Sequence, residues 1–107
     1  MTLELYIYTQ SFPKQEMFGL TSQIRRASSS VGANIAEGCG RGTDPDFSRF
    51  LQIAMGSASE LESHLELAHD LNLLSEVNYQ TLNTEITGIK RMLAGLLKKI
   101  KAPPKKL

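Results

Sequence analysis

The chain has 107 residues and a formal net charge of +1, enough for a single domain that buries about 60–65% of the surface its unfolded form exposes. No apolar stretch approaches the roughly 20 residues of a membrane span, and the start MTLELYIYTQ lacks the basic run and cleavage site of a signal peptide, so a cytoplasmic protein is expected. One cysteine, Cys39, excludes an internal disulfide and offers no metal-ligand spacing.

The small net charge hides an uneven distribution. Between Phe50 and Ile89 lie Glu60, Glu62, Glu66, Asp70, Glu76 and Glu85 with no Lys or Arg, whereas the stretch from Lys90 onward carries Lys90, Arg91, Lys98, Lys99, Lys101, Lys105 and Lys106 with no acid. The C-terminal part is therefore the candidate to meet a polyanion.

In chain order, Leu3, Tyr6 and Ile7 suggest a first helix of two or three turns, closed by the Phe12-Pro13 turn. The Leu5–Tyr8 run is also compatible with a short strand. Leu20, Ile24, Ala27, Val31 and Ile35 define a second helix ending at Gly38, read as a left-handed C-cap. A third helix carries Phe47, Phe50, Ala54, Ala58, Leu61, Leu65 and Ala68 on one face, with Asp44 as N-cap and Pro45 at its first position, where the missing N–H has no helical partner to lose. Asn72 to Leu74 leaves room only for an antiparallel hairpin. The fourth helix, capped by Ser75, repeats Tyr79, Leu82, Ile86, Ile89, Leu93, Leu96 and Ile100 at spacings of three and four and stops at Pro103 and Pro104.

These elements predict an all-α fold, an up-and-down antiparallel four-helix bundle with a short first helix over residues 1–102, followed by a basic tail at 103–107. Ser28, Ser29, Ser30, Gly32, Ala33 and Ala36, and then Gly56, Ser57 and Ser59, keep two of the helices thin, as close packing against each other or a partner chain requires. The short first helix leaves apolar surface uncovered, and self-association is the usual way to hide it.

Gly38, Gly40 and Gly42 invite a phosphate-loop reading. Thr43 stands where a third glycine belongs, no strand precedes and no Gly-Lys-Ser/Thr follows, so a connection between helices accounts for them. His64 and His69 are five apart, off a common face, and no metal site is expected. No nucleophile, base and orienting group converge, which argues against an enzyme and against a cofactor. Arg26, Ser30, Ala33 and Glu37 form a polar stripe beside the apolar one, read either as a solvated face or as buried against another helix with Glu60 the expected partner of Arg26. Asn34, between core positions Val31 and Ile35, is read as a buried polar residue that fixes packing register. Lys90, Arg91, Lys98, Lys99 and Lys101 are read as contacts to nucleic-acid phosphates, joined by Arg25, Arg41 and Arg49 if folding brings them to the same surface. The alternative is a protein-interaction scaffold whose lysines serve solubility.

The motifs GLTSQIRRA, NIAEG-x-GR, F-x-RFL-x-IA and GS-x-x-ELE-x-x-L, within Gly19 to about Ser75, resemble the bacterial four-helix-bundle family of 23S ribosomal RNA intervening-sequence proteins. The resemblance implies a homopentameric ring of up-and-down bundles without catalytic residues. It is similar also to the accessory variability protein of diversity-generating retroelements, a pentameric barrel that binds nucleic acid and a reverse transcriptase. On that reading the partners are further copies of the chain, RNA or DNA, and a protein, with fivefold symmetry multiplying the C-terminal charge. The chain departs from the pattern at its start, where family members usually carry a longer first helix.

Overall fold

A computed structural model describes residues 1–14 and 19–101 of the chain. Four helices follow in order, α1 (Thr2–Thr9), α2 (Leu20–Cys39), α3 (Asp44–Asp70) and α4 (Glu76–Lys101), with no strand among the described residues. The expected all-α bundle is what forms. The basic tail at 103–107 lies outside the described residues. No helix of the described residues is long and apolar enough to cross a membrane.

Helix α3 is the spine, with α2 on one side and α4 on the other. Ile24, Ala27 and Val31 of α2 meet Ala58, Leu61 and Leu65 of α3 and Leu82 and Ile86 of α4 in one core. A smaller cluster of Leu51, Ala54 and Leu93 continues toward the α4 C-terminus, and Ile35 and Ile89 pack against both. The result is a thin rod of 58 × 22 × 17 Å.

Helix α1 has eight residues, about 12 Å of helix, and covers only the first half of α2. Its inward face differs from the expected one. Leu5 and Thr9 are buried, while Leu3, Tyr6 and Ile7 stand 74%, 41% and 53% exposed. Polar anchors choose that face. Thr9 Oγ1 donates to Leu5 O at 2.7 Å and accepts from Arg25 Nε at 3.0 Å, and Thr2 Oγ1 lies 2.8 Å from Ser28 Oγ. These contacts set α1 antiparallel to α2, and buried Phe12 closes the turn through its N–H to Thr9 O at 3.1 Å.

Two expected caps are corrected. Gly38 is not a left-handed cap, because α2 runs on to Cys39 and ends at Gly40 with φ −82°. Packing accounts for Gly38 instead. A Cβ there would lie 2.9 Å from Phe50 Cβ and 3.0 Å from Phe47 Cδ1, so its bare backbone lets α3 approach. At the start of α3 the cap is Thr43, whose Oγ1 accepts from the Asp46 N–H at 3.4 Å, and Asp44 is already helical. Extended Thr43, at φ −130° and ψ 149°, fits the cap and leaves Pro45 in the first turn.

The left-handed residue is Asn72, at φ 61°. The Leu73 N–H reaches Ala68 O at 2.9 Å and the Asn72 N–H reaches His69 O at 3.0 Å, the paired bonds that end a helix when the next residue turns left-handed. Ser75 then caps α4, its Oγ accepting from the Asn78 N–H at 3.1 Å.

Gly38→Ala is expected to lower stability by about 1–3 kcal/mol, because the neighbouring atoms are a backbone-proximal Cβ and an aromatic edge that cannot swing away. Gly95→Ala, whose added Cβ meets nothing within 4 Å, is expected to raise stability by about 0.5–1 kcal/mol. Urea titration of both distinguishes packing from propensity, and equal effects would refute the assignment for Gly38. Asn72→Val is expected to lose about 1–2 kcal/mol in the same assay while Asn72→Gly stays near the parent, since only the branched side chain resists the left-handed backbone.

Candidate nucleic-acid interface

One end of the rod is formed by the α2 C-terminus, the turn into α3 and the last turns of α4. Gly38 holds α3 close at this end, which leaves the Phe50 ring half-buried at the surface. Two guanidinium groups lie over that ring, Arg41 at 5.0 Å and Arg49 at 4.6 Å from its centroid. Arg41 also meets Glu37 Oε1 at 2.6 Å, an exposed pair one helical turn apart. A guanidinium over an aromatic face can still donate from its edge, as Arg41 does to Glu37, while Arg49 has no carboxylate partner among the described residues, an arrangement that suits phosphate oxygens.

The α4 cations divide. Lys98 and Lys99 are exposed near the end of the helix, which closes on Leu96, Leu97 and Ile100 packed toward Leu51 and Phe47. Arg91 is exposed farther back and lines a groove of about 300 Å³ between α3 and α4 with Met55, Thr87 and Ala94. Lys90 is engaged, its Nζ 3.0 Å from Glu62 Oε1 across the same groove. Lys101 is the last helical residue, and its side chain lies outside the described residues.

Arg25 does not join this end. It lies 14 residues from the α2 C-terminus, about 21 Å along the axis, bonded to Thr9 and stacked at 4.4 Å over Tyr6. The expectation of one basic surface is thereby corrected for Arg25. Asp44 and Asp46, in the first turn of α3, share the basic end and offset part of its field.

The polar stripe of α2 acquires specific partners. Arg26 Nη2 donates to Glu60 Oε1 across the α2–α3 interface and to Gln23 Oε1 at 2.7 Å, and His64 Nε2 lies 3.3 Å from the same Glu60 oxygen. Both ends of the Arg26–Glu60 pair are more than a third exposed, so the pair fixes geometry more than it adds stability. Glu37 turns the other way, to Arg41. Asn34 is half-buried and bonds back to its own helix, its Nδ2 donating to Ser30 O at 2.8 Å. The register contact between helices is made one step away by Ser30 Oγ and Ser57 Oγ, 2.8 Å apart. Asn34 therefore acts through Ser30 rather than across the interface, because its amide is taken by the preceding turn.

At the opposite end the α3–α4 hairpin is clasped by His69. Its Nε2 sits 2.5 Å from Glu76 Oε2 and its ring stacks on Tyr79 at 4.3 Å and 12°. Hydrogen bonds from Gln80 and His69 hold the Glu76 carboxyl below the usual range. Burial, then the nearby carboxylates of Glu66 and Asp70, push the Tyr79 hydroxyl up. No group of three or more His, Cys, Asp or Glu among the described residues could hold a metal ion.

Sequence reasoning missed Phe50 as the seat for two arginines and Glu62 as the partner that occupies Lys90. The F-x-RFL spacing places Arg49 beside Phe50, a signal for the first. Nothing local signals the second, since Glu62 and Lys90 meet only through the hairpin.

The family model described as 23S rRNA-intervening sequence protein matches residues 1–95. A crystal structure of a protein with unknown function, from the S23 ribosomal protein family of Bacteroides thetaiotaomicron VPI-5482, is similar at 31% sequence identity and a TM-score of 0.81, covering 91% of this chain and 88% of that one. No curated protein matches.

Proposed function

The chain belongs to the 23S rRNA-intervening sequence protein family, and we propose on that premise that it is an oligomeric, non-catalytic bundle that holds nucleic acid by its phosphate backbone in the bacterial cytoplasm. The observation that carries the reading is the collection at one end of the rod of Arg49, over the Phe50 ring, with exposed Lys98 and Lys99, and of Arg41 over the same ring, which must share its guanidinium with Glu37. Arg91 extends that surface along α4, Lys90 joins only if it leaves Glu62, and Lys101 is added on its sequence position at the end of α4 alone. Arg25 is left out. No base-reading element is involved, since stacked and flexible cations recognise charge and spacing rather than sequence. A ring of copies, with five as the expected number, brings several such ends into one assembly and multiplies a modest local field.

The oligomeric part draws support from the exposed apolar side chains Leu3, Ile7, Leu67, Val77 and Met92 on a rod only 17 Å thick. A scaffold that recruits a protein instead draws on the acidic outer surface of α3, where Glu66, Leu67 and Asp70 lie together.

Binding to a short RNA duplex and to single-stranded RNA, followed by fluorescence anisotropy against salt, tests the reading. The affinity is expected to fall linearly on a log–log plot, and Lys98→Ala with Lys99→Ala is expected to flatten the slope by about 0.7–0.9 for each phosphate that is no longer neutralised. Glu62→Gln, which releases Lys90, is expected to steepen it. A flat salt dependence, or affinity unmoved by charge reversal at Lys98 and Lys99, would remove nucleic acid from the function and leave the scaffold.

A further inference from the structure

We infer that the outer face of α3 is built to receive α2 of a second copy of this chain, the two helices lying antiparallel with α1 at their flank. The inference rests on the oligomeric reading above and names the surfaces that reading leaves open.

The two faces carry complementary chemistry. On one, Arg25 is half-buried over Tyr6, and among the described residues no carboxylate lies within ion-pair distance of it; Leu3 and Ile7, on the same short helix as Tyr6, are exposed. On the other, Glu66 has no cation within that distance among the described residues, and Leu67 beside it is 48% exposed. Each patch pairs an uncompensated charge with uncovered apolar surface, of opposite sign on the two faces. Arg25 also lines an open depression of about 310 Å³ with Tyr6, Ser22, Arg26 and Ser29, room into which a neighbouring helix can settle.

Register supports the same pairing. Setting Arg25 opposite Glu66 in an antiparallel crossing brings Ser29 opposite Ser63 and Ala36 opposite Gly56, because steps of four and seven along α2 match steps of three and seven back along α3. All four of these small residues are exposed in the single chain. A Cβ at Gly56 meets nothing within 4 Å, so no contact inside the chain explains a residue that weakens its helix. Against a neighbouring helix the missing side chain permits close approach. The opposite direction of packing would instead run α2 off the end of α3 at Asp70.

Using α2 of one copy and α3 of the next makes the contact heterologous, so each copy offers one face of each kind and assembly proceeds head to tail until it closes. The α1 patch alone is too small for a stable interface, which needs about 800 Å² from each partner, and the continuation along the thin stretches of α2 and α3 supplies the rest.

Sedimentation equilibrium of four proteins tests this. The parent is expected to be multimeric at micromolar concentration. Gly56→Leu places its side chain in open space in the isolated chain, so its circular dichroism is expected to match the parent while the assembly midpoint moves to about tenfold higher concentration or more. Glu66→Arg, which removes no contact within the chain, is expected to do the same by setting like charges together, and Glu66→Gln to move the midpoint by less. A multimer indifferent to Gly56→Leu, or to Glu66→Arg, overturns this interface and leaves the oligomer standing on other surfaces. A monomeric parent overturns both.

Discussion

The close approach of α2 to α3 is the constraint on which the remaining structure depends. Ala27, Ala54 and Ala58 are fully buried, Ser30 and Ser57 bond to each other across the interface, and Gly38 admits Phe47 and Phe50 against its backbone. Small side chains bring the axes together, and the gain is dispersion contact along two long helices rather than a large apolar payload at any position. The same approach also determines the surface. With the Phe50 Cβ fixed beside Gly38, its ring can only lie at the edge of the interface, where Arg41 and Arg49 cover it. A packing residue on one helix thus positions two cations that it does not touch.

Charge separated along the sequence is partly recombined by folding. Lys90 meets Glu62, Arg26 meets Glu60 and Arg41 meets Glu37, so three cations acquire carboxylates that sequence order keeps apart or leaves unassigned. These pairs are solvent-accessible to differing degrees, and exposed ion pairs contribute about 0–1 kcal/mol. Their effect is on availability. A paired lysine must give up its partner to meet a phosphate, whereas Lys98 and Lys99 have no such competitor among the described residues. The useful quantity is therefore the number of unengaged cations on one surface, which is smaller than the count in the C-terminal stretch.

Much of the fold was legible in the residues, and the misreadings have physical causes. Helix α4 repeats its apolar positions along most of its length, so the face is over-determined, and Leu82, Ile86 and Leu93 are fully buried as the spacing requires. Helix α1 spans barely two turns. Leu3 and Ile7 offer the same i, i+4 spacing as Leu5 and Thr9, and only the polar anchors on Arg25 and Ser28 decide between them. Thr43 and Asp44 are both competent caps, and the choice falls to backbone conformation. Gly38 is ambiguous in kind, because absence of a side chain serves a left-handed turn and a close crossing equally. The remoteness of Arg25 and the capture of Lys90 are tertiary facts, invisible until the chain reverses at Asn72.

The other helical glycines have no such neighbour within the chain. Gly32, Gly56, Gly88 and Gly95 all lie inside helices, and a Cβ at any of them meets nothing within 4 Å. Each weakens its helix by roughly 0.5–1 kcal/mol relative to alanine, in a domain whose whole stability amounts to about 0.05–0.15 kcal/mol per residue. None adopts a positive φ, so backbone freedom does not account for them. Gly38 illustrates the other use, a bare backbone against a neighbouring helix, at a site where that neighbour is part of the same chain. At the outward glycines such a neighbour is absent among the described residues, and the interface inferred above would supply one at Gly56.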